Sequence, residues 1–218
     1  MLESQTPKWL IFLERRLGWL AIPNIAVIFV TLQALGFLMV MADPVWVERL
    51  ALVPGAVLSG QLWRLITFLA LPLSTSLLTM IFVLWFLYFI LTSIESEWGA
   101  FKTTFYVLVS WILIIVFSFV FDFPVAEVSE FQSTLFLAAA ALFPEQEILL
   151  FLVVPVKMKW LGWLTMGYVG YEFVESGWLG KLYLVAIFSN YLIFFGPAHL
   201  SSIKNAIRRW KFKKQLRG

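Results

Sequence analysis

Between Arg64 and Glu95 the chain carries no charged side chain. Its core, Ser74–Ile94, is apolar on every side, and about 20 such residues in a helix match the hydrocarbon thickness of a bilayer. Five further runs are bounded in the same way, at about 20–41, 103–121, 129–143, 160–174 and 179–197. The composition agrees: 61% of residues are hydrophobic and 13% charged, where soluble domains hold about 25% charged. Lipid is the expected solvent for most side chains. No Ser/Gly linker, low-complexity tract or repeat divides the chain, so one domain is expected.

The segments between the runs complete the organisation. Residues 1–19 form an interfacial region, with an amphipathic surface helix over 7–18. In it Trp9, Phe12 and Leu13 face lipid, and Lys8, Arg15 and Arg16 face headgroups. Glu14, Arg15 and Arg16 interrupt the apolar stretch too early for a cleavable signal. Residues 20–197 form the six-span domain and 198–218 a basic tail. Residues 42–73 are charged, proline-containing and still rich in apolar residues, and are expected to lie as an ordered loop in the interface. The 129–143 run is short and holds Ala138–Ala141, small residues that let helices approach closely. It is the expected centre of the bundle. Gly162, Gly167 and Gly170 are expected to serve packing in the next span. The apolar stretch 148–156, stopped by Pro155, is read as interfacial or re-entrant. The fold class is therefore an all-α membrane protein, a bundle of six transmembrane helices with an interfacial first loop.

Charge sets the orientation. With six spans and both ends on one side, that side collects Lys8, Arg15, Arg16, Lys102, Lys157, Lys159 and the seven basic residues of the tail, from Lys204 to Arg217. The other side holds Arg49, Arg64 and Lys181. Positive charge accumulates on the cytoplasmic face, so both termini are expected in the cytoplasm. The tail is expected to meet anionic lipid rather than nucleic acid. With no Cys and one His, thiol chemistry and Cys/His metal sites are excluded, and no cofactor or metal is expected.

Two motifs flank the uncharged run: Gly60-Gln61-x-Trp63-Arg64-x-x-Thr67 and Glu95-x-x-Trp98-Gly99. Physically, Arg64 can satisfy backbone carbonyls of the loop, Trp63 can seat it in the interface, and Glu95 can cap a neighbouring turn. Together with the order of spans, these motifs resemble the rhomboid superfamily over about residues 18–200. The stretch from Phe143-Pro144 to Lys159-Trp160 is similar to a lengthened connection in some bacterial rhomboid-like proteins. The resemblance implies a rhomboid-like bundle in a bacterial cell membrane. In active members a serine in Gly-x-Ser-Gly at the start of the fourth span pairs with a histidine of the sixth.

The catalytic half departs from that pattern. The nearest counterpart of the serine motif is Phe131-Gln132-Ser133-Thr134, without either glycine, and Ser129 is the other candidate nucleophile. The position of the family's histidine falls near Ser189, and the oxyanion positions of the second span fall near Thr79 and Val83. A valine side chain donates no hydrogen bond. The single histidine, His199, is expected at the inner end of the sixth helix, far from serines at the outer end of the fourth. Gln132, Ser189 and Asn190 remain as candidates for a substrate gate, with interhelical hydrogen bonding as the structural alternative, which also covers Asn24 and Gln33.

Three functions follow from these residues. The leading one is a pseudoprotease, similar in type to inactive rhomboids and derlins. It would bind transmembrane segments of client proteins, or perturb the local bilayer through its short spans. The second is an active intramembrane serine protease with a displaced dyad, in which Glu130 or Glu172 would have to supply the base. The third, a small transporter or channel, calls for charged residues within spans, and these are sparse.

Overall fold

Backbone N–H and C=O groups find no water in hydrocarbon, so an apolar run there must satisfy its own hydrogen bonds, and a helix does so. In the structure, a computed structural model that describes residues 8–150 and 154–215, all six runs are helical. Pro7 of the expected surface helix and Arg217 of the tail lie outside the described residues.

The elements run in the order α1 (Lys8–Leu17), α2 (Ile25–Ala42), the short helices α3 (Trp46–Leu50), α4 (Pro54–Leu58) and α5 (Arg64–Thr67), then α6 (Leu77–Trp98), α7 (Ala100–Phe121) and α8 (Ser129–Leu142). A hairpin of β1 (Glu147–Leu150) and β2 (Val154–Lys157) follows, and α9 (Met158–Glu175) and α10 (Trp178–Gln215) close the chain. Among the described residues four helices are long and apolar enough to cross a membrane: α2, α6, α7 and the Trp178–Pro197 part of α10. The chain is thus an all-α membrane protein apart from its hairpin. At 14 residues and about 1.5 Å each, α8 reaches about 21 Å, short of the roughly 30 Å of hydrocarbon. α9 has 18 residues but carries Lys159, Glu172 and Glu175.

Packing follows from side-chain size. α2 lies against α6, α7 against α10, and α8 touches α6, α9 and α10. Phe131, Leu135, Ala138 and Ala139 of α8 are buried, so α8 is enclosed by its neighbours. The alanines allow this: a Cβ added at Gly162 of α9 would stand 2.8 Å from the Cβ of Ala140. Gly167 and Gly170 do not share that role, since a Cβ at either would meet nothing within 4 Å. They lie on a helix whose exposed residues include Trp160, Trp163, Leu164 and Tyr171. The closest approach is elsewhere, where a Cβ at Gly36 of α2 would fall 1.8 Å from the carbonyl oxygen of Ala70.

One expectation is corrected and two elements are extended. Leu13 of α1 does not face lipid: it packs on the core beside the fully buried Leu10. Trp9 sets its ring edge-on to Phe194 at 5.4 Å, and Lys102 reaches Glu14 at 3.8 Å, so α1 is held to the bundle as well as amphipathic. The expected sixth span matches the Trp178–Pro197 part of α10, but the helix itself is longer. It continues through Pro197 to Gln215, and the basic tail is helical over its described part. The described part of the stretch 148–156, which leaves out 151–153, forms antiparallel strands in which Ile148 faces Val156 and Leu149 faces Pro155. Both strands are edges, so the missing N–H of Pro155 removes no ladder bond from a central strand.

The base of the hairpin is clamped by charge. Glu145 Oε1 accepts from Lys159 Nζ at 2.6 Å and Oε2 from Lys157 Nζ at 2.9 Å. These bonds pull the Glu145 carboxyl from its ordinary 4.5 down to about 2, and the same carboxylate raises Lys157.

Two predictions follow from this packing. Gly36→Ala forces a methyl into a backbone carbonyl and is expected to cost about 1–3 kcal/mol or more, read as a lowered unfolding midpoint in detergent micelles, while Gly167→Ala stays within about 0.5 kcal/mol of wild type. A carboxylate whose pKa is depressed on folding stabilises above its ordinary pKa and loses that contribution as pH falls toward the folded value. The melting temperature of wild type should therefore exceed that of Glu145→Gln at pH 7. The gap should narrow below pH 4.5 and close near pH 2.

Candidate functional site

The loop between α2 and α6 is built around one guanidinium. Arg64 is buried, and its Nη1 donates to the carbonyls of Glu48 at 2.6 Å and Ala51 at 2.7 Å. Its Nε donates to Gln61 Oε1 at 2.7 Å. Thr67 Oγ1 donates to the Leu50 carbonyl at 3.2 Å. The neighbouring helices complete the fixation. Gln33 Nε2 of α2 donates to the Leu69 carbonyl at 2.5 Å, and Trp111 Nε1 of α7 donates to the Leu65 carbonyl at 2.7 Å. Trp63 is exposed on the loop surface. The second motif also shapes the chain. Gly99 turns α6 into α7 at φ +85°, and Glu95 Oε1 accepts from the backbone N–H of Asn24 at 2.8 Å, which caps the start of α2.

This loop leads into α6 beside a cavity of about 420 Å3. Ser129, Gln132 and Ser133 of α8 line it, and Phe82 and Phe86 of α6 and Tyr168 of α9 stand in its walls. Thr79 and Val83 line it too, as do Ser74 and Thr165. The candidate serines are thus brought to one place with Thr79 and Val83, and the structure assembles a groove of hydroxyl and amide groups between aromatic and aliphatic walls. Among the described residues, neither serine nor Gln132 has a side-chain hydrogen bond to another protein group.

The remaining candidates lie elsewhere. His199 is exposed on α10 and its Nε2 pairs with the Tyr191 hydroxyl at 2.7 Å. Ser189 donates back to the Ala186 carbonyl of its own helix at 2.6 Å. Asn190 is fully buried, and its Nδ2 donates to the Tyr106 carbonyl at 3.0 Å and to Ser110 Oγ at 2.6 Å. It ties α10 to α7. Tyr106 in turn donates to the Thr134 carbonyl of α8 at 3.0 Å. Neither Ser189, Asn190 nor His199 lines the serine cavity.

Nor do the carboxylates line that cavity. Glu130 and Glu172 line a second, smaller cavity with Glu127 and Tyr183. Successive helical residues project about 100° apart, so Glu130 points away from the groove that Ser129 lines. A serine without a base in reach is a weak nucleophile. The groove can donate and accept hydrogen bonds and offer aromatic contact; among the described residues that line it, no proton acceptor is stronger than a hydroxyl or amide. Among the described residues no group of three His, Cys, Asp or Glu could hold a metal ion.

The buried state of Glu130 was not legible beforehand. Its place beside Glu127, with Pro124 upstream, reads as a polar rim, and the spacing Glu127-x-x-Glu130 is the one signal that could have suggested a shared face. Comparison of the chain with protein-family models, curated proteins and solved structures finds no match in any of the three.

Removing the guanidinium leaves three acceptors of the loop without their donor. Hydrogen bonds to charged groups contribute about 1.5–3 kcal/mol. Arg64→Ala is expected to lose at least that much in a denaturant titration in micelles, and Arg64→Lys to recover little, because one ammonium cannot reproduce a planar fork.

Proposed function

We propose that the chain is a six-span, rhomboid-like protein of a bacterial cell membrane, with both ends cytoplasmic, that binds transmembrane segments and does not hydrolyse them. The observation that carries this reading is the groove lined by Ser129, Gln132 and Ser133. It sits beside exposed apolar residues: Leu78, Ile81 and Trp85 on α6, and Leu164 and Tyr168 on α9. Hydroxyl and amide groups at that level want partners that lipid tails do not provide. A transmembrane segment with polar residues or a locally unwound backbone provides them, through hydrogen bonds worth about 0.6–2 kcal/mol each.

The rhomboid-like part is supported by how the resembling residues are used. Arg64 clamps the first loop and Gly99 makes the turn after α6, both structural tasks that do not depend on catalysis. The pseudoprotease part is supported by the distribution of bases: His199 pairs with Tyr191, and Glu130 and Glu172 face another cavity. Bilayer thinning is the less favoured activity of the same fold, because the short α8 is enclosed by α6, α9 and α10 and presents little of its length to lipid.

The test is lateral crosslinking in reconstituted vesicles. A benzophenone amino acid in place of Phe136, which lines the groove, is expected to capture a transmembrane peptide with a central Asn-Gly pair in preference to an all-leucine peptide. Equal capture of the two sinks segment recognition. A fluorophosphonate that labels wild type but not Ser133→Ala shows instead that the chain is a serine hydrolase.

A further inference from the structure

The second cavity, of about 280 Å3, is enclosed by the turn after α7, the start of α8, the end of α9 and the start of α10. Three carboxylates, Glu127, Glu130 and Glu172, stand in its lining with Ser176, and no lysine or arginine does. Glu130 is 8% exposed, and its Oε2 is buried without a hydrogen-bond partner. The carboxyl of Glu172 lies within hydrogen-bonding reach of that of Glu130, so what the Glu130 oxygen lacks is a donor between the two, a proton or a cation. Two carboxylates side by side repel unless a proton or a cation neutralises them. The protein's own cations do not: the ion pairs among the described residues join Lys102 to Glu14, and Lys157 and Lys159 to Glu145. Lys181, the lysine at the start of α10, sets its Nζ over the Phe173 ring at 5.9 Å instead.

The shape of the cavity says which cation fits. A bare divalent ion needs several oxygens converging at about 2.3–2.6 Å, and no three acidic groups among the described residues are so placed. The cavity is also several times larger than an ion. Its other walls are apolar and aromatic: Phe123, Pro124, Val125 and Leu184, with Tyr183. The Phe123 and Tyr183 rings pack at 5.1 Å between centroids, and aromatic faces attract an ammonium. A charged end over carboxylates and a carbon stem along apolar walls together describe an alkylamine in its protonated form.

We propose that this cavity binds a primary alkylammonium group, with the orphaned Glu130 oxygen and Glu172 accepting its N–H donors and the Phe123–Tyr183 wall holding its stem. The site is independent of the serine groove and of whether that groove takes a transmembrane segment. Glu127 lies nearer the rim, being exposed, and sets the charge of the entrance.

The experiment uses the full chain in neutral-lipid nanodiscs at pH 8. n-Butylammonium chloride is titrated while saturation transfer from protein to the butyl protons and the melting temperature are followed. Saturable transfer with a rising melting temperature is expected, with sodium chloride, calcium chloride and 1-butanol at equal concentration giving neither. The affinity should fall about tenfold or more in Glu130→Gln, as loss of a charge-assisted bond implies, and in Glu172→Gln should the first variant fail to fold. Nα-acetyl-lysinamide and glycerophosphoethanolamine, titrated alongside, distinguish a lysyl stem from a lipid headgroup as the source of the ammonium. No saturable transfer from butylammonium in wild type overturns the proposal and leaves a carboxyl pair that shares a proton. Equal binding of butanol reduces the cavity to an apolar pocket, and equal competition by sodium or calcium makes it a site for a bare ion; either outcome also overturns the proposal.

Discussion

A single buried guanidinium carries the longest stretch of this chain that is neither a long helix nor a tight turn. Between α2 and α6 the backbone changes direction through three short helices, and each interruption leaves carbonyls that no regular helix satisfies. Near lipid an unsatisfied carbonyl is costly. Arg64 answers this by spending its donors on Glu48, Ala51 and Gln61 at once. A lysine offers three donors from one point, whereas the five N–H groups of arginine are spread over a plane. The clamp needs that spread, because its acceptors come from either side of the loop. Everything downstream inherits its position: Gln33 and Trp111 pin the end of the loop to α2 and α7, and α6 then starts beside the groove.

What could be read from the sequence divides along the same physical line. Arg64 and Glu95 were legible because a charge at the edge of a long uncharged run has few ways to be satisfied; backbone groups are the nearest partners, and both residues use them. The long helices were legible because hydrocarbon leaves the backbone one local solution. The pairing of Glu147–Leu150 with Val154–Lys157 was not, since a short apolar run of Ile, Leu and Val suits a strand as well as a helix. The mixed behaviour of the glycines in α9 was equally hidden: Gly162 meets Ala140 and Gly167 meets nothing, a difference set by which side of the helix faces α8.

The candidate site shows the limit most clearly. Ser129 and Glu130 are neighbours in sequence, which made the carboxylate look like a base in waiting. On a helix that adjacency is a separation, and α8 turns one toward the serine groove and the other toward the acidic cavity. Asn190 was readable as a polar residue that needed a partner, but whether it served a gate or a joint depended on α7 presenting Ser110 and the Tyr106 carbonyl opposite it. Such facts belong to pairs of helices and are not written in either one.

The enclosure of α8 has a consequence for what the chain can do chemically. Hydrolysis needs a nucleophile, a base and a water in one cavity, and oxyanion donors aimed at the same carbonyl. Here the helix acts as a partition: hydroxyls and an amide on one side, carboxylates on the other, with Phe131, Leu135 and Ala138 buried along its length. Bringing Glu130 to the serines would require α8 to rotate within the contacts it makes with α6, α9 and α10, against the close seating of Ala140 on Gly162. Packed interiors resist such rotation because every methylene displaced must find a new space. The partition therefore keeps two surfaces apart: a groove lined by hydroxyl and amide groups, and a pocket lined by carboxylates.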